Sequence, residues 1–148
     1  MDISKGMLTY AKTKMHRRQW ENIELSQANA AYLPYKDGIF DAVMHVGGIN
    51  TFGDKKRALQ EMVRVAKPKA KIVIVDEGLA PAKEKTFMGK FLLKMNALYR
   101  CKPPTQLLPK NIENLKVKWK MDPFWPHYNM EFSKKSSESD QLCAHFCA

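Results

Sequence analysis

Cysteine is scarce in this chain of 148 residues: Cys101, Cys143 and Cys147 are an odd number, two of them close together near the end. That excludes a disulfide framework and leads us to expect reduced thiols in a cytoplasmic setting. Long apolar runs are lacking as well. None approaches the ~18 residues of a spanning helix, so no membrane span is expected, and the first residues lack the apolar core of a signal peptide. Glycine amounts to seven residues, and the one adjacent pair, Gly47-Gly48, is not a phosphate loop because the other glycines and the lysine of that motif are missing. Acid is short of base, 15 Asp and Glu against 25 Lys and Arg, which leaves a net charge of +10. Such a balance suits an anionic partner, but no nucleic-acid motif accompanies it, so nucleic acid is not the expected partner. The triplet Cys143, His145 and Cys147 lacks a fourth ligand and the usual C-x-x-C spacing, and no metal site is expected there.

What the chain does have is enough apolar material, 45% of residues, for one packed domain. We expect it to run over residues 1–135, followed by a loose polar tail over 136–148. Within the domain, helical and strand patterns alternate. Residues 5–18 put Met7, Leu8, Ala11 and Met15 on one side of a helix, with Ser4 as its cap. NIELSQA, residues 22–28, reads as a short strand. FDAVMHV is a nearly continuous apolar run of the kind buried on both faces of a parallel sheet. KKRALQEMVRVAK has helical spacing and must end before Pro68, and KIVIVDEG is the clearest parallel strand. A broad apolar stripe over residues 83–100, from Phe87 to Tyr99, reads as a core-packing helix. LKVKWKM and HYNMEFSKK alternate as an antiparallel hairpin, the second strand turning Tyr128, Met130 and Phe132 inward.

This order predicts an open α/β sheet with helices on both faces, and in such sheets ligands bind beyond the carboxyl ends of the parallel strands. Four segments fall there: Asp2-Ile3-Ser4, Ala28-Asn29-Ala30, His45-Val46-Gly47-Gly48 and Asp76-Glu77-Gly78.

The succession DIS..ML..A, QANA..LPY.DGIFDAV, ALQEMVRVAKP and KIVIVDE resembles the class I S-adenosylmethionine-dependent methyltransferases, in particular the branch of quinone-biosynthesis C-methyltransferases. The resemblance covers residues 1 to about 80, and the closing hairpin is similar to the one that ends that fold. It implies a Rossmann-like methyltransferase sheet with S-adenosyl-L-methionine as cofactor and a small-molecule methyl acceptor as partner. It also implies roles for residues. Asp2 would hold the ribose hydroxyls and Ile3 would lie beside it; Asn29 and the backbone of Ala30 would meet the adenine; His45 and Val46 would lie next to the cofactor. No catalytic residue is assigned, His45 being the one candidate for a general base. Each has a plainer reading: Asp2 as a helix cap, Asn29 as a turn residue, His45 as a hydrogen-bonded structural histidine, Gly47-Gly48 as a tight turn. Asp76 and Glu77 are candidates to orient a substrate or simply solvated strand ends. The stretch Phe87 to Leu108 is where the family builds its substrate cover, although core packing is the simpler account.

The family's first strand with its glycine-rich turn, the following helix and most of the second strand would precede residue 1. The expectation is therefore an N-terminally truncated sheet with a gap of roughly 10 to 15 Å, and a function in S-adenosylmethionine-dependent methyl transfer to a small-molecule acceptor, with activity of the truncated form left open. Two alternatives stand beside it. One is a non-catalytic methyltransferase-like subunit that pairs through its open sheet edge with itself or a partner. The other is a basic nucleic-acid-binding protein using Lys116, Lys118, Lys120 and the arginines near residue 18.

Overall fold

The computed structural model describes residues 1–122 and 125–136. The proposed tail beyond Ser136, with Cys143, His145 and Cys147, therefore lies outside the described residues, as does part of the hairpin loop. Helix α1 spans Lys5–Arg18, strand β1 Phe40–Val46, helix α2 Lys55–Val65, strand β2 Ala66–Glu77, helix α3 Phe87–Met95, strand β3 Ile112–Lys120 and strand β4 His127–Lys134. The strands form one sheet in the order β1-β2-β4-β3, β1 parallel to β2 and the remaining pairs antiparallel. This is the Rossmann-like sheet with a closing antiparallel hairpin expected from the sequence.

The core lies where β2 and β4 meet α2. Ile72 and Ile74 from β2, Tyr128, Met130 and Phe132 from β4, and Leu59, Met62 and Val63 from α2 cluster there, each buried. The period-2 pattern of HYNMEF produces this directly, since alternate side chains of a strand share a face. Asp54 caps α2 by accepting the N–H of Arg57, and the helix runs without a loop into β2. Its terminal carbonyls still find a donor: Lys134 Nζ on β4 reaches the carbonyl oxygens of Arg64 and Ala66. β2 begins earlier than expected because Pro68 sits in an irregular stretch, where pairing slips between Phe40 and Ala42 and Lys69 takes a φ of 63°.

Three expectations need correcting. NIELSQA forms no strand; its sole ladder contact is an isolated parallel bridge between Gln27 and Asp2, too short a partner to organise a strand. FDAVMHV is not covered on both faces, since Met44 is 73% and Val46 54% exposed: β1 is an edge strand among the described residues. The stripe at 83–100 is not one helix, and only part of it packs as core, Leu92 and Tyr99 forming a small buried cluster with Leu79. It breaks into a 3-10 turn at Pro81–Lys83, α3 and a second turn at Ala97–Arg100, and only Leu92 and Tyr99 of its large apolar side chains are buried. α1 forms with its Ser4 cap, but buries no residue fully.

The loop from Leu33 to Asp37 is tied to α2 by two charged side chains one helical turn apart. Glu61, nearly buried, accepts the N–H of Leu33 and pairs with Arg64 at 2.7 Å. Arg64 in turn donates to the carbonyl oxygens of Leu33 and Tyr35 and to Asp37. Its guanidinium beside Glu61 holds that carboxyl below its ordinary range despite burial. Removing the Glu61 carboxylate leaves the Leu33 N–H without its acceptor and takes from Arg64 its buried ion-pair partner, whereas Lys71–Glu131 is a solvent-exposed pair. Glu61→Ala should therefore lower the unfolding free energy by about 3 kcal/mol and Lys71→Ala by less than about 1 kcal/mol in urea denaturation. Equal losses would contradict this division.

Candidate functional site

A cleft of about 560 Å³ opens beyond the carboxyl end of β1, the size of an ordinary small-molecule site. It is lined by Asp2 and Ile3 at the start of the chain, by Ala28 to Tyr32, and by His45, Gly47, Gly48 and Thr51 to Asp54. Segments distant in sequence meet here because a few contacts fix them. Asp2 and Ala28 are joined by backbone hydrogen bonds through Asp2 N to Ser26 O and Ala28 N to Asp2 O. Ala31 is buried, and its carbonyl receives Arg57 Nε, while the Arg57 guanidinium also lies over the ring of Tyr32 at 5.8 Å.

The loop after β1 is fixed by a single carboxylate. Asp76, with no solvent exposure, accepts the N–H of Gly48 at 3.2 Å, of Asn50 at 2.8 Å and of Glu77 at 2.8 Å. Burial opposes its charge, but the neighbouring Glu77 and these backbone donors outweigh it and leave the carboxyl below its usual range. Glu77 is pushed the other way, first by Asp76 and then by burial. Asn50 completes the tie, donating to the Glu77 carbonyl at 2.8 Å and accepting from the Tyr128 hydroxyl at 3.3 Å. Gly47 and Gly48 have φ values of 71° and 100°, so the turn itself demands glycine.

Of the residues singled out by the sequence, Asp2, Ile3, Asn29, Ala30 and His45 line the cleft and Val46 does not; its side chain lies among the exposed residues of β1. Asp2 Oδ1 accepts the N–H of Ser4 at 2.7 Å, an Asx turn just ahead of the Ser4 cap of α1, which leaves its other oxygen available; the plainer reading of Asp2 as the helix cap does not hold. Asn29 Oδ1 accepts the N–H of Ala31 at 2.9 Å, an Asx turn, and keeps its amide donors. His45 stands edge-on to Phe52 with ring centroids 5.2 Å apart, and its Nε2 is buried with no hydrogen-bond partner among the described residues. Burial pushes its pKa down against the pull of Asp76, so the ring is neutral near pH 7. Asp76 proves to be a loop clamp and not a cleft residue. The stretch HVGGINTF does line the cleft through His45, Gly47, Gly48, Thr51 and Phe52, whereas sequence reasoning missed Tyr32, which enters the cleft through loop geometry alone.

The donor set is a half-buried carboxylate, a side-chain amide, an orphaned imidazole nitrogen and apolar walls from alanines and Phe52. It offers acceptors for hydroxyl groups and amide donors within one cleft, and contains no metal-binding cluster among the described residues.

A family model described as "Methyltransferase domain" matches residues 1–74. Over 76 residues the chain is 40% identical to the demethylmenaquinone methyltransferase of Oceanobacillus iheyensis, a match covering 51% of this chain and 32% of that protein. The matched part thus spans about a third of the relative's length. A SAM-dependent methyltransferase from Thermotoga maritima superposes with a TM-score of 0.65 at 19% identity, over 90% of this chain and 71% of that one. The [4+2]-cyclase SpnF superposes with a TM-score of 0.64 at 14% identity, over 91% and 64%. At such identities the likeness is one of fold, and a fold hosts more than one chemistry.

Asp76→Ala should speed hydrogen exchange at the amides of Gly48 and Asn50 and cost about 3 kcal/mol of stability, with Asp76→Asn intermediate because one acceptor oxygen survives. Unchanged exchange at those two amides would remove Asp76 from the role of clamp. For His45, the unfolded chain takes up its proton near the ordinary 6.5 while the folded chain resists it. Its contribution is therefore intact above that pH and is lost as the pH falls from 6.5 to the depressed folded value. Denaturation curves from about pH 8 to about pH 5 should show this decline in the wild type and a flatter profile in His45→Gln.

Proposed function

The chain belongs to the methyltransferase-domain family of class I S-adenosylmethionine-dependent methyltransferases, and on that premise we propose that its cleft holds the ribose and adenine of S-adenosyl-L-methionine for methyl transfer to a small-molecule acceptor. The observation that carries the reading is the meeting of Asp2, Ile3, Asn29, Ala30 and His45 around one cleft, although they come from three separate stretches of sequence. The free oxygen of Asp2 would accept the ribose hydroxyls, and Asn29 with the backbone at Ala30 would meet the adenine edge. When bound, the cofactor supplies a methyl group on a sulfonium, ready for in-line displacement.

The protein's share in such a reaction is to position and to exclude water. Phe52 and the alanines at 28, 30 and 31 give the cleft its dry walls, and the neutral His45 offers Nε2 as a polar contact that no group among the described residues takes. A neutral imidazole can also receive a proton, which keeps His45 as the candidate base if the acceptor must lose one. The relatives' printed activity makes a quinone-like acceptor the natural first test among small molecules. The setting we assign is the cytoplasm.

Titration with S-adenosyl-L-methionine, followed by backbone amide NMR shifts, registers even weak binding. Shifts should concentrate at residues 2–3, 28–32, 45–48 and 51–54, and Asp2→Ala should weaken binding about tenfold or more by removing a charge-assisted acceptor. Shifts elsewhere, or none at saturating cofactor, would overturn the assignment.

A further inference from the structure

Helix α3 carries its apolar side chains outward. Phe87 is 89% exposed, Met88 60%, Phe91 52% and Met95 69%, whereas Gly89 and Leu92 are the buried residues of the helix and Leu93 is partly buried with them. At about 100° per residue the four exposed side chains fall within a single arc of roughly 100°. Lys94 and Lys90 follow at about 20° and about 60° beyond the edge of that arc marked by Phe87. The helix is held in this orientation by close packing underneath. A Cβ placed on Gly89 would lie 1.9 Å from the carbonyl oxygen of Lys83, so α3 sits directly on the turn Pro81–Lys83 and cannot roll over with a larger residue there.

Charge around this face is of one sign. Residues 81–102 contain six cations, Lys83, Lys85, Lys90, Lys94, Arg100 and Lys102, and one acid, Glu84. Glu84 is already paired with Lys102. Lys83, Lys85, Lys90, Lys94 and Arg100 are exposed. An outward apolar arc flanked along one edge by exposed lysines is what a helix lying in a lipid headgroup region presents, with the apolar side chains entering the acyl boundary and the lysine stems reaching back to the headgroups. No helix among the described residues is long and apolar enough to cross a membrane, so the contact would be peripheral.

We propose that α3 is a docking surface for an anionic phospholipid bilayer. The flanking lysines select this occupant over a second copy of the chain, because two copies meeting through α3 would bring the same cations together. The inference does not rest on methyl transfer, and it stands or falls without the cofactor.

The full chain should float with vesicles of phosphatidylcholine and phosphatidylglycerol and remain behind with phosphatidylcholine alone. Raising salt from about 0.1 M to about 0.5 M should release it severalfold. Lys90→Glu combined with Lys94→Glu should weaken partitioning about tenfold or more. Phe87→Ser, Phe91→Ser and Met95→Ser together should abolish it while leaving thermal unfolding unchanged, since these side chains are exposed in the fold. Hydrogen exchange on the unmodified chain supplies a readout free of any mutational effect on folding, and added vesicles should protect residues 87–95. The proposal is overturned by a failure to float with anionic vesicles, by wild-type flotation of the triple serine variant, or by protection confined to α1. It is equally overturned if sedimentation shows a dimer that the triple serine variant dissolves and vesicles do not.

Discussion

A carboxylate without solvent exposure, Asp76, sets the geometry on which the candidate site depends. Removing such a charge from water costs several kcal/mol unless donors replace the lost hydration. Here the replacement comes from the N–H groups of Gly48, Asn50 and Glu77, two of them in the loop that follows β1. The loop is therefore pulled onto the end of β2, and it carries Gly47, Gly48, Thr51 and Phe52 into the wall of the cleft. His45, immediately before it, is held edge-on to Phe52. The positive φ values of the two glycines are the backbone side of the same arrangement.

The opposite lip hangs from α2 by the pair Glu61 and Arg64, with Arg57 in support. These side chains engage Ala31, Leu33, Tyr35 and Asp37, all in the segment that leads from the cleft to β1. The two motifs ALQEMVRVAKP and LPY.DGIFDAV, separate in sequence, are thus two halves of one set of hydrogen bonds. Cleft and core share α2, because its other face contributes Leu59, Met62 and Val63 to the packing against β2 and β4. A change that loosens α2 would be felt in both.

Two apolar surfaces stand outside this arrangement. β1 leaves Met44 and Val46 in solvent, and α3 does the same with Phe87, Phe91 and Met95. They differ in their charge surroundings. β1 itself carries Asp41, paired to Lys67 at 2.6 Å, whereas α3 has exposed cations along one edge of its apolar arc and in the segments before and after it. Apolar area supplies the tendency to be covered, and the charge at its margin decides by what.

The sequence by itself determined the sheet and the family. Alternation in HYNMEF and the apolar run IVIV could be read directly because strand period and burial are local properties, and linked motifs in the right order named the methyltransferase class. It also named the three segments, around Asp2, Asn29 and His45, that line the cleft. Only the tertiary structure decided that NIELSQA makes one bridge in place of a strand, since a strand needs a partner ladder that no residue of the segment can encode. The same holds for the stripe from Phe87 to Tyr99. Helical spacing marks which side chains share a face, but whether that face meets core or solvent depends on what lies across from it. Asp76 was legible as an acid at a strand end; its work as a clamp required three amides brought to it by the fold.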